Sequence, residues 1–60
     1  MPHPSDLARD ACDRIRGFYD PEALREWGES EGRRLRLPRE ALDEVRRVYA
    51  DRMAELRRER

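Results

Sequence analysis

Sixty residues, 37% hydrophobic and 47% charged with a mean hydropathy of -1.20, make one small domain at most. A chain this short buries only about 60% of its unfolded surface, so its core is thin and an enclosed substrate pocket of roughly 300 Å³ or more is hard to build. Fourteen basic and fourteen acidic residues cancel, a single cysteine excludes an internal disulfide, and no His/Cys/Asp/Glu spacing points to a metal or cofactor.

In chain order, residues 1–4 (Met1-Pro2-His3-Pro4) read as a flexible N-terminal tip, too short and too polar for a signal peptide. Residues 5–60 then form a single helical domain. Ser5 and Asp6 offer an N-cap. Leu7, Ala8, Ala11, Cys12, Ile15, Phe18 and Tyr19 recur at three- and four-residue spacing, which predicts an amphipathic helix over about 6–17. Asp10 and Arg14 stand four apart on its outer face, in the favourable order for an ion pair. Gly17 predicts the stop.

Asp20-Pro21-Glu22 is the clearest helix start in the chain: the aspartate caps, proline takes the first helical position and the glutamate complements the dipole. This second helix is expected over about 21–31, with Ala23, Leu24 and Trp27 along one apolar edge and Gly32 as its stop. Gly28 costs roughly 1 kcal/mol against alanine inside a helix, which predicts close approach of another backbone there. Trp27 is the expected core anchor, and the rings of Tyr19 and Tyr49 are expected to pack with their hydroxyls at the surface. Pro38 opens the third helix, expected over 38–58 and ending in the charged Arg57-Arg58-Glu59-Arg60. The result is an all-α fold, a small three-helix domain with short turns and a long C-terminal helix.

No apolar run approaches the roughly 20 residues of a membrane span. A soluble, cytoplasmic protein is therefore expected, and the lone cysteine suits a reducing compartment. Cys12, on an apolar face with no histidine near it in sequence, reads as an inert buried thiol, and His3 as solvated. All the basic residues are arginine, with no lysine, asparagine, glutamine or threonine, as GC-rich bacterial coding would give.

A third helix of about 30 Å outruns two partners of about half its length. Val45, Val48, Tyr49, Arg52, Met53 and Leu56 therefore form the expected partner interface, with Met53 and Leu56 reaching past the internal core. A thin core with no disulfide or metal staple leaves association as the remaining staple. On these grounds the chain reads as a non-enzymatic protein-interaction module: a regulatory subunit, adaptor or antitoxin-like partner docking through amphipathic helices onto another protein chain, homo- or hetero-oligomeric. No catalytic residue, no cofactor and no small-molecule substrate is expected.

The alternative rests on Arg33, Arg34, Arg36 and Arg39, four arginines in seven residues with no acid among them. They either pair with Glu29, Glu31, Glu40 or Glu44, or bind anions beside the N-terminus of the third helix. Leu24-Arg25-Glu26-Trp27, Gly32 five residues later, and Arg34-Leu35-Arg36-Leu37-Pro38 resemble the C-terminal DNA-binding domain of actinobacterial H-NS-like nucleoid-associated silencers, over residues 21–49. That family places Arg-Gly-Arg of an interhelical loop in the minor groove of AT-rich DNA. The resemblance implies Arg34 and Arg36 as groove arginines, with Leu35 where the family carries glycine and Pro38 at the start of the second helix of that unit. DNA is the alternative partner.

Overall fold

The computed structural model describes residues 3–58, and it is all-α: helix α1 runs over Pro4–Arg16, α2 over Pro21–Trp27 and α3 over Arg39–Arg58. Among the described residues there is no strand, and no helix is long and apolar enough to cross a membrane. Met1 and Pro2 of the expected tip, and Glu59 and Arg60 of the charged end, lie outside the described residues.

Helix α1 starts earlier than Ser5 and Asp6 suggested. His3 is the N-cap: its Nδ1 accepts the Ser5 backbone N–H at 3.2 Å, and the Ser5 Oγ lies 2.6 Å from the same nitrogen. Pro4 then takes the first helical position, where its missing N–H costs nothing, and Asp6 sits in the first turn as a dipole partner. At the far end the Gly17 N–H donates to the carbonyls of Asp13 and Arg14, closing the helix in right-handed geometry. The predicted outer pair forms, with Arg14 Nε 3.4 Å from Asp10 Oδ2.

Asp20 caps α2 as expected, its Oδ1 accepting the Glu22 N–H at 3.2 Å. Past Trp27 the helix does not stop at Gly32. Residues Gly28–Gly32 form a π-turn and Arg33 and Arg34 remain helical. Ser30 donates its hydroxyl to the Glu26 carbonyl at 2.9 Å, a local bond that competes with the regular ladder. Gly32 keeps a negative φ like every other described glycine, so the chain never takes the left-handed exit that the expected stop requires. Pro38 lies just outside α3 and its carbonyl accepts the Leu42 N–H at 2.9 Å.

The Phe18 carbonyl meets Arg52, and Cys12 lies within electrostatic reach of Glu44, so α1 and α3 run in the same direction. Helices α1 and α3 pack directly on each other, and α2 returns along α3 in the opposite direction, with Gly28 against Tyr49. This up-down-up bundle gathers Ala8, Ala11, Cys12 and Ile15 of α1, Leu24 of α2, and Val45 and Leu56 of α3 into one buried cluster. Ile15 and Leu24 are fully buried, each stabilising the fold by about 1.5–3 kcal/mol. Trp27, the expected anchor, packs at the edge of this cluster beside Phe18, ring centroids 6.2 Å apart. Tyr19 departs from expectation: it is 83% exposed, because Phe18 turns inward at the α1–α2 junction and leaves its neighbour outside.

Candidate functional site

The six residues expected to face a partner divide into different environments. Val45 and Leu56 are taken up by the core within the single chain, Leu56 at only 2% exposure. The length argument for the end of α3 left out the 17–20 connection, which meets α3 at Arg52. The guanidinium of Arg52 fastens that connection: Nε and Nη2 donate to the Phe18 carbonyl at 3.1 and 2.8 Å, and Nη1 to Glu55 at 3.1 Å. The same guanidinium lies 5.4 Å from the centre of the Tyr19 ring, over its face. Val48, Tyr49 and Met53 are half-buried at the margin of the core.

What α3 leaves open lies at its other half. A groove of about 460 Å³ runs between α2, the π-turn and the first turns of α3. Trp27, Leu35, Leu42, Val45 and Tyr49 supply its apolar surface, and Arg25, Arg33 and Arg46 stand along it with one acid, Glu29. Leu42, Val45, Arg46 and Tyr49 share one face of α3 by their successive spacing of three, one and three.

Gly28 shapes the end of this groove. A Cβ there would lie 2.9 Å from Tyr49 Cε2 and 3.2 Å from its hydroxyl, so the absent side chain is the space the ring occupies. A close approach was expected at Gly28, but from a backbone; a side chain makes it instead. The indole Nε1 of Trp27 is buried with no acceptor among the described residues.

The arginine cluster has a definite geometry. Arg33, Arg34, Arg36 and Arg39 are exposed, while Leu35 and Leu37 between them pack against the core. The alternation turns the apolar residues inward and the guanidiniums outward. The acids considered as partners do not take them up: Glu29 pairs with Arg25 at 3.6 Å, and none of the four arginines pairs with a described acid.

Cys12 is buried, and burial first, then the nearby Glu44 carboxylate, push its thiol up, with Arg16 opposing. A thiol held protonated is a poor nucleophile. Among the described residues no group of three or more His, Cys, Asp or Glu side chains is placed to hold a metal ion.

Arg25, Trp27, Gly28, Arg33, Leu35, Leu42 and Arg46 were not read from the sequence as one surface. The usable signal was the Leu42-Val45-Arg46-Tyr49 face of α3, in which an arginine interrupts the apolar stripe. The chain matches no protein-family model, no curated protein and no solved structure.

Proposed function

We propose that this chain is a non-enzymatic protein-interaction module, an adaptor, regulatory subunit or antitoxin-like partner working in the cytoplasm. Its docking surface is the groove between α2, the π-turn and the first half of α3. One observation carries the reading: a groove with four half-buried apolar side chains, Trp27, Leu35, Leu42 and Tyr49, remains open on a domain whose own core is already closed by Leu56. Apolar surface left exposed in a concavity marks a binding surface more often than scattered apolar residues do. The interface expected from the sequence therefore moves along α3, from the Arg52–Leu56 end to Leu42, Arg46 and Tyr49.

Photo-crosslinking tests this. A p-benzoylphenylalanine in place of Arg46 should trap a protein partner in host cells, and the same residue in place of Arg9, on the outer face of α1, should not. Trapping of the same partner from both positions, or from neither, would refute the assignment of the groove.

A second reading is DNA binding through Arg33, Arg34, Arg36 and Arg39. The inward turn of Leu35 favours it, because Arg34 and Arg36 are then exposed with no side chain of leucine between them on the outer surface. A minor groove about 6 Å wide leaves no room for a leucine between two inserted arginines, so the inward turn suits the mode that the silencer resemblance implies. Affinity should fall with salt at a slope of about -0.9 per phosphate contact, and Arg34→Ala with Arg36→Ala should abolish binding. A double variant that binds duplex as tightly as the parent rules the reading out.

A further inference from the structure

We propose that the occupant of the α2–α3 groove is an acidic amphipathic helix of another protein, its apolar face on Leu35, Leu42 and Tyr49 and its carboxylates on Arg33 and Arg46. This rests on the reading of the groove as the docking surface and names the chemistry of what docks there.

Charge argues for the sign. The chain as a whole is neutral, yet the groove is lined by three arginines and one glutamate. Glu29 is paired to Arg25, so Arg33 and Arg46 are left without an ion partner among the described residues. A bound segment therefore meets two guanidiniums free to form charge-assisted, bidentate hydrogen bonds with carboxylates. A basic segment would meet like charge.

Shape argues for a helix. The apolar side chains contributed by α3 extend from Leu42 to Tyr49, seven residues or about 10 Å of helix axis. Two turns of a docked helix present anchors at i, i+3 or i+4, and i+7 over the same length. Addition of a strand needs an exposed sheet edge, and the described residues contain no sheet. The tyrosine at one end of the groove is seated on Gly28 and offers an amphipathic ring, a side-chain type enriched at interfaces.

Trp27 is the only tryptophan in the chain and lines the groove, so its fluorescence reports occupancy directly. The test uses the full chain and two synthetic helical peptides that share leucines at i, i+3 and i+7, one flanked by glutamates and one by lysines. The acidic peptide should shift the Trp27 emission and bind at least about tenfold more tightly than the basic one at low salt. In a chain carrying Arg33→Glu and Arg46→Glu, with circular dichroism showing an unchanged helix content, the preference should reverse.

Equal binding of the two peptides, abolished by Leu42→Arg, would overturn the acidic class while leaving the groove as a docking surface. Failure of both peptides to shift Trp27 would overturn the acidic class and the groove reading together. A chain that dimerises with Trp27 shielded would make the occupant a second copy, and displacement of the acidic peptide by duplex DNA would make it nucleic acid; each overturns the proposal.

Discussion

Replacing Arg52 with alanine is expected to be the most damaging change of a charged side chain in this protein. The Arg52 side chain is only 16% exposed, and two of its N–H groups converge on one carbonyl, that of Phe18. Hydrogen bonds from a charged donor contribute about 1.5–3 kcal/mol, and two bonds sharing one acceptor do not add fully, so the clamp is worth about 2–3 kcal/mol. The ion pair to Glu55 adds little, because Glu55 is 60% exposed and screened. A domain of this size holds about 3–9 kcal/mol in total, so the loss removes a large share of it. Urea unfolding followed by circular dichroism should give a loss of about 2–3 kcal/mol for Arg52→Ala, and thermal unfolding a fall of about 8–20 °C. Arg52→Lys should recover only part, since an ammonium cannot reproduce the planar fork. Glu55→Ala should change little. An Arg52→Ala protein within about 0.5 kcal/mol of the parent would refute the clamp, and equal losses for Arg52→Ala and Glu55→Ala would shift the stabilisation onto the ion pair.

Leu56→Ala should cost about 2–5 kcal/mol by emptying part of a closed core. Its unfolding midpoint, like that of the parent, should not depend on protein concentration; a concentration-dependent midpoint would return Leu56 to an interface between chains. Gly28→Ala gains about 1 kcal/mol of helix propensity but displaces the Tyr49 ring at a cost of about 1–3, for a net loss of about 0–2 kcal/mol. In a Tyr49→Ala background the same change should stabilise, and a double-mutant cycle showing no coupling would mean the ring moves freely. The raised pKa of Cys12 stabilises the fold fully below the ordinary thiol value of 9.0, and that contribution is lost as pH rises through the higher folded value. Stability should therefore fall more steeply above about pH 9 in the parent than in Cys12→Ala, by denaturant titration at each pH.

The helices were legible because their signals are local. The 7, 8, 11, 12, 15 spacing of α1 needs no knowledge of the rest of the chain, and four of those five residues are buried. Asp20-Pro21-Glu22 carries its capping chemistry within three residues. Two starts and stops were misplaced where a less usual device prevailed. Histidine is not a common N-cap, yet the ring nitrogen of His3 reaches the Ser5 N–H. Gly32 fails to stop α2 because the preceding turn widens to the π form and carries the chain two residues further.

The site was less legible, because it depends on which helix faces which. Counting residues made α3 too long for its partners and assigned Leu56 to another chain. The count left out the 17–20 connection, whose carbonyl at Phe18 is held by Arg52 and which extends the cover beyond the end of α1. The groove at the other half of α3 arises from the opposite circumstance. There α2 gives way to the π-turn, Gly28 contributes no side chain, and Tyr49 fills only the space next to it. The apolar surface of Leu42 and Leu35 is left half-covered beside arginines that lack acids. Periodicity identifies the apolar face of a helix but not how far along that face its neighbours extend. In a three-helix domain this second quantity separates closed core from open groove, and here it reverses the two ends of α3.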